Sequence, residues 1–506
     1  MFNSLLDRVP ISFSELFIVC CFSTFLYFII SSTYNVYFHP LARFPGPRLW
    51  IFTRLCYANS LRRGDLHLKI LEFHEKYGEI VRVAPNELSF TSPSAWKDMC
   101  TGSTKNKGLP RNTIVFGAQG FKSFLDGSDE QHTMFRRMLA PSFSVSAMNR
   151  AEPTIQSYIS LLITQLNKEV TEKQPVNICE WYNYFTFDIT GELAFSESFG
   201  QLERKAYHQW VKLIFSHLKY SALSICLRFW PPLDVLMPKL APASLHKLKH
   251  LFCQLSRQKV AYRINRPDAS QLQDWVSPCL TTKDPREKME LEEIMDTFTI
   301  FIIAGSETTA TLLSGLTNHL CQNKRVLKLL SDEIRGTFKS EDEITQAAAA
   351  KLPYLNAVLN EALRMCTPIP CALGRIVPKG GSVISGEHIP TNTYVGIPHF
   401  AAYHDATHFA SPFRFTPERW LGDAAFEKDL HPVFQPFSMG GRNCIGQALA
   451  WVEMRLVIAR LIYNFDMKKA EGPDWIEQRT YMLWEKQPFS VHLTPVQRDE
   501  AVELPS

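Results

Sequence analysis

One cysteine is framed by glycines and a cation in FSMGGRNCIG (Phe437–Gly446). A thiolate that sits on a metal needs a turn with open space around the sulfur, and Gly440 and Gly446 supply positions without a side chain. Backbone N–H groups that follow Cys444 can point at the sulfur and tune its charge. Arg442 offers a fixed cation suited to a carboxylate, and Phe437 can cover an aromatic face. Such a loop suits a cysteine ligating haem iron beside a haem propionate. A buried free cysteine in a glycine-rich turn is the other reading of the same residues.

Two more segments carry chemistry. AGSETT (Ala304–Thr309) lies inside the apolar stretch TFTIFIIAGSETTATLL (Thr297–Leu313). So uniform an apolar helix is expected to be buried, and Gly305 in its middle costs roughly 1 kcal/mol against alanine. Glu307 and Thr308 follow. A hydroxyl there can bond the carbonyl four residues back and open the helix ladder, leaving a groove for O2 and water; a polar patch in a core helix is the plainer alternative. NEALRM (Asn360–Met365) sets Glu361 and Arg364 three apart on one helical face, which by itself suits a weak surface pair.

FSMGGRNCIG resembles the F-x-x-G-x-R-x-C-x-G haem-binding signature of the cytochrome P-450 family at all five fixed positions, with Gly441 where many members have proline. The resemblance implies that Cys444 is the axial thiolate of haem b, which pushes electron density onto the iron and favours O–O cleavage. It makes AGSETT the oxygen-activation motif, with Ala304 against the haem, Thr308 steadying the activated oxygen and Glu307 feeding protons. It joins Glu361 and Arg364 to Arg419 of FTPERW (Phe415–Trp420) in a buried charge network. For the propionates it adds Arg375 in ALGRIVP (Ala372–Pro378), and His132 and Arg136 in EQHTMFRRML (Glu130–Leu139), to Arg442.

These residues need a scaffold. GEIVRVAPNELSFTS (Gly78–Ser92) alternates and reads as a strand pair turning at Pro85-Asn86. Asp129 to Asn265 is mostly helical, interrupted at FWPPLDVLMP (Phe229–Pro238), where adjacent prolines end a helix. Asn265–Lys288 is polar and is expected to be a surface connection. Helices are predicted over Glu290–Cys321, Tyr354–Met365 and Cys444–Tyr463, with short strands in Thr367–Tyr394. The expected fold is mainly α with a small β portion. Residues 51–506 form one large domain, preceded by an anchor at 1–37 and a stiff hinge at 38–50. FHPLARFPGPRLW (Phe38–Trp50) supplies that hinge, because its prolines and glycine forbid a helix.

The anchor rests on LFIVCCFSTFLYFII (Leu16–Ile30), with no charge from Leu16 to Phe38. About 20 apolar residues cross a bilayer. Arginines 43, 48, 54, 62 and 63 follow the span against a lone Arg8 before it, which predicts a cytosolic body on the endoplasmic reticulum membrane. Twelve cysteines without a CxxC pair, and no N-x-Ser/Thr site, suit a reduced compartment. A net charge of +4 over 506 residues without a basic block argues against nucleic acid.

The family's chemistry is monooxygenation of a lipophilic small molecule. Electrons come from NADPH through a separate flavoprotein reductase, since no GxGxxG follows a strand. Arg442 and Lys428 are candidate cations for that partner. The expected substrate wall includes Phe116, Phe121, Ile303, Ile369 and Leu373, and Phe229–Leu236 is a candidate second membrane contact. The phrases FHPLARFPGPRLW, KLPYLNAVLNEALRM and NCIGQALAWVEMRL resemble fungal monooxygenases of secondary metabolism, including trichothecene C-15 hydroxylases. The rival readings are a haem-thiolate isomerase or dehydratase needing no O2, a non-enzymatic haem sensor, and a sterol demethylase.

Overall fold

A computed structural model describes residues 13–101, 108–112, 114, 123–171, 174–230, 239, 243–269, 271–282, 284, 288–472, 475 and 477–498. Phe116 and Phe121, and most of the Phe229–Leu236 segment, lie outside the described residues.

The first helix, Phe13–Thr33, is long and apolar enough to cross a membrane. It leaves Phe17, Phe22, Phe25 and Ile30 exposed rather than packing them on the body. The chain then turns through Tyr34–Phe38, and the proline-rich stretch packs on the body, with Leu41 and Phe44 buried beside Leu88 and Phe90. A helix, Arg48–Phe52, starts within Phe38–Trp50, where the prolines and glycine are expected to forbid one.

The body is organised around one central helix, Leu291–Gln322. It opens on a capping box in which Glu293 accepts from the Glu290 N–H at 2.9 Å, satisfying donors that a helix start leaves free. Phe298, Ile302, Ala310, Leu313, Leu316 and Leu320 are fully buried on it. It too is long and apolar enough to cross a membrane, but unlike the first helix it is a core element. It packs most extensively on the helix Ile178–Phe195. Gly305 lets the two approach, since a Cβ there would stand 3.2 Å from the Thr190 methyl. The helices Pro353–Met365 and Gln447–Asn464 close other sides.

The β portion is small. Strands β1 (Ile80–Ala84) and β2 (Glu87–Phe90) form the expected hairpin around Pro85-Asn86. β7 (Tyr394–Gly396) adds in parallel to β2, with Leu88 opposite Val395, and β4 (Arg375–Ile376) adds antiparallel to β7. β3 (Val176–Asn177), β11 (Ser490–Pro495) and β8 (Phe465–Lys469) make a second sheet. The four-stranded sheet is what carries Arg375 toward the interior, because β4 faces Arg111 across an isolated bridge.

A second expectation needs correction. Asn265–Lys288 is not simply a surface connection: Asp274, Trp275 and Val276 are buried. Asp274 pairs with the buried Arg263, and Ser277 donates to the same carboxylate at 2.9 Å. The segment's polarity is consumed in this internal pair, which frees Trp275 to pack on Phe143 and Phe301.

Candidate haem site

The Cys444 loop is held from both ends. The Cys444 N–H donates to the Phe437 carbonyl at 2.8 Å and the Asn443 N–H to the Gly440 carbonyl at 3.2 Å. Gly440 has φ +74°, and a Cβ there would stand 2.1 Å from the Cys100 carbonyl oxygen, so only glycine fits. Arg136, from the helix Asp129–Leu139, donates to the Asn443 carbonyl at 2.7 Å and also grips the Asn443 side chain. The loop ends where the helix Gln447–Asn464 starts, which places the sulfur at a helix N-terminus. The Cys444 side chain is accessible from an internal space although it lies deep in the protein. Burial pushes its thiol up, while the Gly446 N–H and Arg136 favour the thiolate.

That internal space is a cavity of about 250 Å³. The central helix contributes Ala304, Gly305, Thr308 and Thr309 to its wall, and the cysteine loop contributes Phe437, Arg442, Cys444 and Gly446. Phe124, Phe143, Trp275 and Phe301 make an aromatic side, and Ile369 and Leu373 a further apolar one. A larger open cleft of about 1520 Å³ lies between Arg62–Leu68 and Phe413–Phe415, but no cysteine lines it.

The central helix runs through AGSETT without a break. Thr308 donates to the Ala304 carbonyl at 2.7 Å and faces the cavity. The groove expected from an opened ladder is therefore not a helix break, and the missing Gly305 side chain serves the approach of Thr190 on the neighbouring helix. Glu307 points elsewhere. It is buried, pairs with Lys486 Nζ at 2.8 Å, and borders a separate pocket of about 300 Å³ with Asn183 and Tyr207.

Of the remaining sequence candidates, Glu361, Arg364 and Arg419 lie together in full burial. Arg364 donates to both carboxylate oxygens of Glu361, at 3.0 and 2.8 Å, and Arg419 Nε stands 3.1 Å from it. The Thr416 N–H and Trp420 Nε1 add bonds at 2.9 and 3.0 Å, and Arg419 also pairs with Asp429. Burial opposes charge on Glu361, but the two guanidiniums outweigh it and hold its pKa below the usual range. Ile303 packs into the core and does not line the cavity. Arg375 is buried and donates to the Leu109 carbonyl at 3.1 Å, behind the wall rather than on it. Arg442 is turned inward onto Asp129 at 2.5 Å, so of the two cations expected to face a partner only Lys428 is exposed.

The rim carries more positive charge than it balances. Arg111, missed in the sequence because its segment reads as apolar wall, lines the cavity. Burial lowers its pKa to about 9, aided by repulsion from Arg375 and Arg442. His132 is buried with Nε2 unpartnered, and burial together with Arg442, Arg111 and Arg136 lowers it to about 3. Arg442 Nη1 is buried without a hydrogen bond. A pocket rimmed by surplus cations fits an anionic group. Among the described residues no cluster of three or more His, Cys, Asp or Glu could hold a bare ion. A metal on the one thiolate must bring its other ligands with it, as in a porphyrin with two propionates. Trp275 and Glu453 are among the other missed wall residues. Each had a signal: a lone aromatic in a polar stretch, and a lone acid in the apolar run ALAWVEMRLVI.

Comparison with known proteins agrees with this geometry. The cytochrome P-450 family profile matches residues 44–493. The cytochrome P-450 monooxygenase lcsI of Purpureocillium lilacinum is 38% identical over 490 residues, covering 95% of this chain and 94% of the relative. Averantin hydroxylase of Dothistroma septosporum is 39% identical, covering 91% and 88%. Trichothecene C-15 hydroxylase of Fusarium sporotrichioides is 38% identical, covering 93% and 96%. With a thiol opening into an apolar, cation-rimmed cavity and a match along nearly its whole length, the chain belongs to the cytochrome P-450 family and is an oxidoreductase of its monooxygenase class.

Proposed function

We propose that this chain inserts one oxygen atom of O2 into a lipophilic terpenoid or polyketide intermediate of fungal secondary metabolism, and that Cys444 would hold haem b through its thiolate. The reading rests on one observation: the Cys444 side chain opens into an apolar cavity whose wall Thr308 also lines. The names of two relatives, averantin hydroxylase and trichothecene C-15 hydroxylase, support the substrate class.

The haem supplies oxygen activation when bound. The chain's own residues do the rest. Cys444 provides the thiolate, with the Gly446 N–H stabilising its charge. Arg442 and Arg111 offer the propionates their charge, with Arg375 and His132 close behind. Thr308 holds a hydroxyl at the cavity face, where it can exchange hydroxyl hydrogens with water without a net change of charge. Phe124, Phe143, Trp275, Phe301, Ile369 and Leu373 exclude bulk water and hold an apolar substrate. The glutamate–arginine network braces the helix behind them.

Electrons come from NADPH through a separate flavoprotein reductase, with Lys428 one cation on offer to it. Residues 1–37 anchor the chain singly in the endoplasmic reticulum membrane, 38–50 form the hinge, and 51–506 form the catalytic domain facing the cytosol. The arginines that follow the apolar span support that orientation.

The test is the carbon monoxide difference spectrum of the reduced full-length protein. A red-shifted Soret band in wild type that is lost in Cys444→Ser is the expected result. Haem uptake without that band in wild type refutes the thiolate and the mechanism built on it.

A further inference from the structure

One large ring reaches the cavity from a segment whose composition suggests a surface connection. Trp275 is buried and lines the cavity together with Phe143, Phe301 and Cys444. Its indole centroid stands 4.5 Å from that of Phe143 and 6.4 Å from that of Phe301, and those two rings meet edge to face at 5.6 Å. Both neighbours belong to elements that build the site. Phe301, Ala304, Thr308 and Leu312 recur at helical spacing on the face that the central helix turns to the cavity. Phe143 ends the turn Ala140–Phe143, which follows the helix whose Arg136 holds the cysteine loop.

A clamp of buried charge fixes Trp275 in this place. Arg263 is fully buried and donates to both oxygens of the Asp274 carboxylate, from Nη2 at 3.0 Å. The same carboxylate accepts from the Ser196 hydroxyl at 3.0 Å, the Ser277 N–H at 3.0 Å and the Ser277 hydroxyl at 2.9 Å. The Trp275 N–H donates to the Leu193 carbonyl at 3.0 Å. These bonds bolt the turn to the end of the helix Ile178–Phe195. Taking a guanidinium and a carboxylate out of water is costly, and an apolar pair of similar volume often packs as stably. What the ion pair fixes is direction: Asp274 turns to Arg263, and the next side chain enters the cavity.

We propose that Trp275 is a cofactor-holding residue, its indole a wall for an apolar edge of the haem, and that Arg263, Asp274 and Ser277 are the positioning residues that keep it there. This rests on the haem-thiolate reading above. A porphyrin with two propionates presents one charged edge and apolar remainders. Arg111 and Arg442 on the cavity wall answer the charge. Trp275 meets only the rings of Phe143 and Phe301, a surface suited to an apolar macrocycle, since ring-to-ring contact gains beyond the area it buries. Besides excluding water, the indole slows the escape of the cofactor. Its hold depends on the clamp, because Trp275 precedes the short helix Ser277–Thr281 and belongs to no helix or strand of its own.

The experiment follows haem transfer from the full-length holoprotein to excess apomyoglobin, read in the Soret band. Trp275→Ala is expected to lose haem about tenfold faster than wild type, and Trp275→Phe to stay within about threefold of it. Where Trp275→Ala yields no holoprotein, Trp275→Leu takes its place. Ser277→Ala should speed transfer by about twofold and add nothing to Trp275→Ala, since the clamp acts through the indole. Trp210, buried against Phe199 and absent from the cavity wall, is the control. Resonance Raman bands of the porphyrin substituents should shift in Trp275→Ala and stay in place in Trp210→Ala. Transfer at the wild-type rate overturns the proposal, and a changed affinity for 4-phenylimidazole beside it would make Trp275 a substrate wall alone. Faster transfer with unshifted bands also overturns it, as general loosening of the fold. An unchanged rate in Ser277→Ala overturns the positioning role. The reduced carbon monoxide spectrum separates the two levels of failure. A thiolate band in wild type with unchanged transfer in the variants overturns this inference alone, and its absence from wild type overturns the enzyme reading and this inference with it.

Discussion

Glu361 and Glu453 are both fully buried, on helices that pack against each other, and their surroundings are opposite. Glu361 is met by two guanidiniums, a backbone N–H and an indole N–H, and is held ionised. Glu453 meets one hydroxyl and is held neutral. A buried acid whose every lone pair is answered is a brace, since its value lies in partners that cannot be spared. A buried acid left unanswered lowers the stability of the fold and gains nothing from packing.

The comparison breaks most sharply if the brace can be cut cheaply. Arg364→Ala leaves Glu361 with a single guanidinium, strands carbonyls of Tyr403 and Pro412, and opens a void. A loss of about 3–5 kcal/mol is expected, with little haem-loaded protein recovered. Thermal denaturation and the haem-to-protein absorbance ratio measure it.

The second prediction is opposite in sign with pH. Glu361 is depressed in the fold, so its contribution is present above the unfolded carboxylate pKa and is lost as pH falls through the folded value. Glu453 is raised to about 8 from 4.5. The fold therefore binds a proton that the unfolded chain has released, and stability falls as pH rises from 4.5 to about 8. Glu453→Gln should leave the melting temperature unchanged near pH 4 and exceed wild type by about 1 kcal/mol or more at pH 8. Equal melting curves at both pH values would place Glu453 in contact with a charge.

Replacing each acid by a near-isosteric apolar residue sharpens the contrast further. Glu453→Leu is expected to be stable within about 1 kcal/mol of wild type, because no partner is stranded. Glu361→Leu strands two guanidiniums and should cost about as much as Arg364→Ala. Urea unfolding of both variants compares them directly.

The smallest effect belongs to an ion pair outside burial. Arg325 and Glu418 stand 2.7 Å apart with Arg325 largely exposed. Arg325→Ala should change stability by less than about 1 kcal/mol and less still at high salt. A loss matching the Arg364 variant would mean that this surface pair belongs to the brace.

Much of this arrangement is legible before folding. The helix boundaries at Leu291–Gln322, Pro353–Met365 and Gln447–Asn464 fall within a few residues of the expected ones, because apolar periodicity, prolines and caps are local signals. The cysteine frame is local too: Gly440 must be glycine for its own backbone angle as well as for its neighbour. The same holds for the first helix, whose uninterrupted apolar run gives its length and its exposure together.

Direction was not legible, because which way a side chain faces depends on what packs around its element. Adjacent residues on one helix part company: Thr308 faces the cavity and Glu307 faces Lys486, a residue 179 positions later in the chain. Arg136 turns to Asn443 and Arg375 to Leu109, while Arg111 takes a place on the wall. Trp275 reaches the interior only because Asp274 and Arg263 cancel each other's charge. The sequence by itself determined the cysteine loop, the helices and the membrane-length span, since each depends on residues close together in the chain. Only the tertiary structure decided which acid is answered and which is left alone, because burial and partnership come from segments separate in the chain, such as Arg419, 58 residues beyond Glu361.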